Sequence, residues 1–424
     1  MRRLLLAFSL LASTAAQAET VVVTADRMVD VLAGKIVSKP VVVITDGRIV
    51  AVSSGGQPAP VAPEGARRVD LPGMTILPGL IDMHVHLSSV PEIGGYNYLQ
   101  YSDSVWTVAA AENAKKMLAA GFTTIRNVGA DFYADIGVRD AVDLGIIRGP
   151  RVIGAGYALG ATGGHCDSTF FPPSMDQKSP ALVDSVEQGR QRVREQRKAG
   201  AQVIKVCATG GVFSRNTEPG QQQMTEAELR AIAEEAHMWG LKVAAHAHGA
   251  AGIKAAIRGG IDTIEHASLI DDEGIKLAKE RGTYLSMDIY NSEYTQAEGA
   301  KNGVLEDNLR KDREIAQVQR DNFRKAVQAG VKMVYGTDAG VYPHDQVARQ
   351  FAWMVRYGQT PMQAIQSATS VAAEALGRTG DVGAIAPGRY GDIVAVAGDP
   401  TSDVRLLEKV GFVMKSGKVE KGAK

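Results

Sequence analysis

Apolar positions along this chain follow two periodicities. Near the start, Thr20 to Thr24, Val41 to Thr45 and Ile49 to Val52 are strand-like runs. The last two are separated by Asp46-Gly47, a dipeptide that accepts the positive φ angles of a tight hairpin turn. The same texture returns after residue 380, where Gly391-Asp392 leads into Ile393 to Ala397 and Val410 to Lys415 runs up to a turn at Gly417. In between, β-rich runs alternate with helical periodicity. The predicted strands are Thr75 to Leu87, Phe122 to Gly129, Arg151 to Leu159, Gln202 to Thr209, Lys242 to His248, Asp262 to Ser268, Thr283 to Tyr290 and Lys332 to Ala339. Helical windows include Val105 to Ala120, Ala181 to Lys198, Asp345 to Tyr357 and Thr225 to Trp239, the last opened by a Thr225/Glu228 capping box. These βα units predict an α/β chain folded as a (β/α)8 TIM barrel, the alternative being an open doubly wound sheet. The two β-rich ends are expected to meet as a small β-sandwich domain, giving segments 19–74 and 381–424 around a catalytic barrel at 75–380.

Composition narrows the partners. Lys plus Arg and Asp plus Glu number 47 each, so the chain lacks the charge excess that nucleic acid or an anionic membrane surface attracts. Residues 1–18 combine Arg2 and Arg3, an apolar run from Leu4 to Leu11 and the small-residue ending Ala16-Gln17-Ala18. That is the layout of a signal peptide cut after Ala18; the apolar run falls well short of the roughly 20 residues a membrane span needs. An exported protein is expected, periplasmic or secreted. Its two cysteines, Cys166 and Cys207, exclude a disulfide framework and read as buried thiols, a bridge requiring their loops to meet.

The candidate chemistry sits at the ends of the predicted barrel strands. Strand alternation places His84 and His86 on one face at the C-terminal mouth, where paired imidazoles can chelate a metal. His246, His266 and Asp338 fall at equivalent positions on the fifth, sixth and eighth strands, and Lys205 on the fourth. A lysine ammonium has no lone pair for a metal, but burial near cations favours the neutral amine, which can add carbon dioxide to give a carbamate. Its two oxygens would then bridge one ion held by His84, His86 and Asp338 and a second held by His246 and His266. The other reading of Lys205 is a buried ammonium paired with a carboxylate such as Asp338. His165, on a glycine-rich loop, and His248, two residues beyond His246, are candidates to contact substrate. Ser88, Tyr157, Arg215 and His344 are weaker ones, and His237 reads as a packing residue.

These residues carry a family resemblance across the whole mature chain. Leu77-Pro78-Gly79-Leu80-Ile81-Asp82-Met83-His84-Val85-His86, Lys205, His246, His266, Gly336-Thr337-Asp338 and Pro387-Gly388-Arg389-Tyr390-Gly391-Asp392-Ile393-Val394 resemble the amidohydrolase superfamily. Ala161-Thr162-Gly163-Gly164-His165, Ala208-Thr209-Gly210-Gly211 and His246-Ala247-His248-Gly249 narrow this to the imidazolonepropionase-like branch, with its Xaa-Pro dipeptidases and ochratoxin-hydrolysing amidohydrolases, the latter the nearest match. The resemblance implies two divalent ions, namely zinc, an N6-carboxylated Lys205 and a homo-oligomer as large as an octamer. It further implies a binuclear amide hydrolase that releases a C-terminal amino acid from dipeptides or N-acyl amino acids, ochratoxin A to ochratoxin alpha plus phenylalanine among them. In such a site metal-activated hydroxide attacks the carbonyl and Asp338 acts as general base, then acid. Cyclic-amide hydrolysis or deamination within the superfamily is the nearest rival, and a non-catalytic binding protein the more distant one.

Overall fold

The computed structural model describes residues 19–422, so the signal-peptide segment lies outside the described residues. Strands β1 (Thr20–Asp30), β2 (Lys35–Ser38), β3 (Val41–Thr45), β4 (Arg48–Ser53) and β5 (Arg67–Pro78) come from the first part of the chain. They join β14 (Ile393–Ala397), β15 (Phe412–Lys415) and β16 (Lys418–Lys421) from the last part in one eight-stranded sheet ordered β16-β15-β14-β5-β1-β3-β4, with β2 paired to β1. The expected hairpin is present: Asp46 and Gly47, both at positive φ, link β3 to β4. Side chains of alternate residues, among them Val21, Val23, Val42, Ile44, Ile76, Ile393, Phe412 and Met414, form one apolar cluster on this sheet.

The middle of the chain supplies two parallel sheets. One contains β6 (Leu80–Val85), β7 (Phe122–Asn127) and β8 (Arg151–Gly154); the other contains β9 (Val203–Cys207), β10 (Lys242–Gly249), β11 (Thr263–Leu269), β12 (Tyr284–Ser286) and β13 (Met333–Val334). Backbone hydrogen bonds run on past both outer edges. Leu159 exchanges bonds with Lys205 and Cys207 beside β9, while Tyr335, Asp338 and Ala339 bond with Met83, His84 and His86 beside β6. Helices alternate with these strands, including Asp103–Ala119, Val186–Lys198, Glu226–Met238 with the expected Thr225/Glu228 capping box, and Glu306–Ala329. Alternation assigns the faces: Ile204, Val206, Val243 and Ala245 join the apolar core with Ile232 and Phe323, which leaves Lys205, His246 and His248 for the other side. Among the described residues no helix is long and apolar enough to cross a membrane.

Three expectations need correction. The run Thr75 to Leu87 is two strands, because the chain turns at Gly79 from the end sheet into β6, where a Cβ would collide with Thr123. β8, β12 and β13 are shorter than their predicted runs, which continue as irregular segments; single bridges at Leu159 and Ala339 tie the continuations of β8 and β13 to their neighbours. Cys166 and Cys207 are joined as a disulfide with Cα atoms 5.9 Å apart, rather than standing as two thiols.

The Gly388 to Val394 motif docks the end sheet. Arg151 Nη1 donates to Asp392 Oδ2 at 3.0 Å in a nearly buried pair, Asp392 Oδ1 accepts from Ser416 N at 2.8 Å, and the Tyr390 ring lies 3.6 and 3.9 Å from the guanidinium carbons of Arg48 and Arg151. Asp392→Ala leaves a buried guanidinium without its carboxylate and is expected to lower stability by about 3 kcal/mol. Urea unfolding followed by circular dichroism measures this, and a loss under about 1 kcal/mol would assign the docking to apolar contacts instead.

Candidate metal centre

Each predicted ligand is set by its strand. Asp82 and His84 share one face of β6, and Asp82 Oδ1 accepts from the backbone N–H of His84 and Thr337, while Thr337 Oγ1 donates to Asp82 Oδ2 at 2.6 Å. Burial pushes the Asp82 carboxyl up to about 7, against the pull of the Thr337 hydroxyl and the backbone donors. His246 and His248 share the equivalent face of β10. His266 and Asp338 do not follow alternation, because their neighbours Glu265 and Thr337 already point to the same centre. Left-handed backbone resolves the conflict: φ is 68° at His266, 47° at Ala267 and 58° at Asp338. Such conformations cost on the order of 1–3 kcal/mol each and tend to gather at functional sites.

The side chains then converge. His84 Nε2 and His86 Nε2 each lie 3.3 Å from Asp338 Oδ1. The rings of His246, His248 and His266 stand 4.6 to 4.7 Å apart, and His84 is 4.9 Å from His266. His165 stacks on His246 at 4.1 Å. Three overlapping groups have ligand atoms within 4.8 Å of one another: His84, His86 and Asp338; His246, His248 and His266; and His266, Asp288 and Asp338.

Partners that can only accept a proton fix which ring nitrogen is free. Gly129 O beside His86 Nδ1 at 3.1 Å and Asp288 Oδ1 beside His266 Nδ1 at 2.8 Å leave Nε2 of each histidine as the lone-pair donor. Gly210 O, 3.1 Å from His246 Nε2, leaves that residue its Nδ1. His84 Nε2 has no hydrogen-bond partner, and its Nδ1 lies 3.0 Å from Glu265 Oε2 but off the line of a hydrogen bond. Burial, reinforced by the surrounding imidazoles, pushes His246 and His248 well below the usual histidine range and so keeps them neutral. His84 is the exception: burial and Lys205 push it down, but Asp338 and Glu265 outweigh them and raise it. Burial would raise Asp338, yet His84 and His86 hold it well below the carboxylate range. Neutral imidazoles, an ionised carboxylate and a buried orphan nitrogen are the donor set that a divalent ion with nitrogen and oxygen ligands requires.

Lys205 is 3 % exposed, and no carboxylate pairs with its amine among the described residues. Burial lowers it to about 8, with Arg126 adding to the fall and Glu265 and Asp338 opposing it. The other candidates fall on either side. His165 Nδ1 contacts Ser214 Oγ at 2.9 Å, and burial pushes its ring down to about 3; His248 Nδ1 contacts Ser268 Oγ at 2.8 Å. His344 braces the His86 carbonyl at 3.2 Å, and Tyr157 OH accepts from Phe132 N. Arg215 donates to Tyr96 OH, and His237 pairs with Asp262 at the surface.

Sequence reasoning missed the residues behind the site. Glu265 lies against His84, Asp288 and Ser268 hold the δ nitrogens of His266 and His248, and Arg126 donates to Glu265 Oε1 at 2.7 Å, Thr263 Oγ1 at 2.9 Å and Met83 O at 2.6 Å. The one signal in the sequence was a charged residue, Arg126, inside the predicted strand Phe122 to Gly129.

A family profile described as "Amidohydrolase family" matches residues 75–421. A protein named ochratoxinase from Aspergillus niger is 31% identical over 372 residues, covering 82% of this chain and 76% of its own. The crystal structure of a Xaa-Pro dipeptidase with methionine bound in its active site superposes with a TM-score of 0.89 at 33% identity, covering 95% of this chain and 100% of that one. The crystal structure of A. niger ochratoxinase gives 0.86 at 29% identity, with 96% and 97% covered.

Replacing Asp288 by Asn keeps the shape but removes the charged acceptor behind His266. Divalent-ion affinity is expected to fall about 10- to 100-fold, read by competition with a chromophoric chelator. Unchanged affinity would show that His266 needs no carboxylate to orient it.

Proposed function

Since the chain belongs to the amidohydrolase family, we propose that it is a binuclear metal-dependent amide hydrolase that releases a C-terminal amino acid from dipeptides or N-acyl amino acids. The observation that carries this reading is the convergence of His84, His86 and Asp338 with His246 and His266 near buried Lys205, with which no carboxylate pairs among the described residues. The kinship with a Xaa-Pro dipeptidase and an ochratoxinase supports the substrate class, and ochratoxin A is one substrate in it. The hydrogen bonds at both edges of the parallel sheets support a closed (β/α)8 barrel, with the end sheet as a small β-sandwich and domain limits at residues 74/75 and 380/381. Export after removal of residues 1–18, and assembly into a homo-oligomer, complete the reading.

His84, His86 and Asp338 would hold one ion and His246 and His266 the other, with Lys205 as its N6-carboxylate between them; zinc suits this nitrogen and oxygen set. Bound there, divalent ions supply Lewis acidity to a carbonyl and make water more acidic. Asp338 holds and moves the proton: its ionised Oδ1, beside both His84 and His86, receives one from water and returns it to the departing amine nitrogen. His165 and His248 line the same mouth and bind substrate oxygens, their δ nitrogens being held by Ser214 and Ser268. The Ala208 to Met224 loop, tied back to the Glu306–Ala329 helix by Lys311 and Asn308, limits water access above them.

Product analysis on a panel of dipeptides and N-acyl amino acids, with metal content measured on the same sample, tests the reading. Two ions per chain and a free amino acid product are expected; one ion with ammonia release would favour the deaminase alternative. Asp338→Asn should retain metal but lose at least about a thousandfold in kcat, since the amide ligates yet cannot carry the proton. Near-normal turnover would remove Asp338 from that role. Lys205→Ala should lose one ion and nearly all activity, because two imidazoles hold zinc poorly without a third ligand. A short carboxylic acid in solution should restore part of both. Full metal content in the alanine variant would exclude a lysine-derived bridge.

A further inference from the structure

Asn127 closes β7 with no exposed surface, and every polar atom of its side chain is committed. Oδ1 accepts from Leu87 N at 2.7 Å, while Nδ2 donates to Gly129 O at 3.1 Å and to Asp135 Oδ2 at 3.2 Å. The orientation of the amide is not open to choice. Leu87 N can only donate and Gly129 O can only accept, so turning the amide over would set donor against donor and acceptor against acceptor. Gly129 O is also the acceptor of His86 Nδ1, and Leu87 is the next residue after His86. Among the described residues this one amide therefore touches both the backbone that follows His86 and the carbonyl that orients its ring.

Asp135 stands behind the amide. It lies fully buried in the first turn of the helix Ala134–Asp143. Its Oδ2 also accepts from Ala155 N at 2.9 Å and Gly156 N at 3.0 Å, just beyond β8, and its Oδ1 accepts from Ile136 N at 2.9 Å. Burial raises this carboxyl, against the pull of the four N–H donors. A Cβ at Gly154 would crowd Oδ2, so the space beside it is kept by a glycine. The chain reaches the helix through Phe132 and Tyr133, both left-handed with φ of 56° and 53°, and Tyr157 OH receives Phe132 N at 2.8 Å. Such conformations cost on the order of 1–3 kcal/mol each and persist where surrounding contacts enforce them. This strained entry sets Asp135 between the exits of β7 and β8, and through Asn127 its charge reaches the exit of β6.

We propose that Asn127 and Asp135 are positioning residues that act through His86, holding its imidazole in place for a divalent ion from outside the ligand set. The ion rests on the binuclear reading above; the placement of the ring does not.

The test compares wild type, Asn127→Leu and Asp135→Asn, each as zinc-loaded and as chelator-stripped protein. Leucine approximates asparagine in size but offers neither donor nor acceptor. Asp135→Asn turns one oxygen into a donor facing N–H groups, and it carries the test if the leucine variant does not fold. In crystal structures of the stripped proteins the His86 ring should leave its wild-type position by more than about 0.5 Å in either variant, with His84 and Asp338 unmoved. In titrations against a chromophoric chelator, one of the two ions should bind about tenfold more weakly and the other within about twofold of wild type. Added to His86→Ala, neither substitution should change affinity further, because its effect passes through the imidazole already removed. An unmoved ring would overturn the proposal, as would equal losses at both ions or a further loss in the His86→Ala background, either of which marks a general structural role. A wild type that binds one ion, with the ring displaced in the variants, would overturn the binuclear reading and leave the positioning role standing.

Discussion

Glu265 sits at zero exposure with its charge intact, a state that burial alone opposes and that Arg126 and His84 make possible. Arg126 does more than neutralise it. One guanidinium reaches Glu265 and Thr263 on β11 and the Met83 carbonyl on β6 while its own backbone lies in β7. Three strands that carry or flank candidate ligands are thereby locked in register by a single planar group, a task to which the fixed donor fork of arginine is suited and a lysine is not. With this pair in place the centre gathers several imidazoles and carboxylates in a buried site. Removing either member would leave the other as an uncompensated buried charge.

The second constraint is geometric. A regular strand sends neighbours to opposite faces, so Glu265 with His266, and Thr337 with Asp338, could not all reach one centre without local breakage of the pleat. The left-handed residues supply that breakage, at His266 and Asp338, residue types that accept positive φ more readily than branched ones do. The neighbouring parallel pairing also shifts register between Ala247 and Gly249. Backbone irregularity is therefore concentrated where the chemistry is.

Much of this was legible in the sequence. Period-two alternation placed His84 with His86 and His246 with His248, and the order of strands and helices announced the parallel core. Ile393 to Ala397 coincides with β14, because its β-branched and small apolar run is unbroken. What stayed hidden depends on contacts distant in the chain. Arg126 meets Glu265 across 139 positions, so neither residue signals the other locally. The cysteine pair was misread because spacing carries no information on how near two loops come, and the turn at Gly79 because an apolar strand entering the parallel core looks the same as one leaving a neighbouring sheet.

The end sheet has a temporal consequence. Its centre pairs β14 with β5, and β1 lies on the far side of β5. During synthesis from the N-terminus, β1 to β5 emerge first and wait, with an unpaired edge on β5, until more than three hundred further residues have been made. Completion of this sheet is thus a late step in folding. Until then the open edge of β5 is a row of unpaired N–H and C=O groups, the part of the growing chain most able to accept a foreign strand.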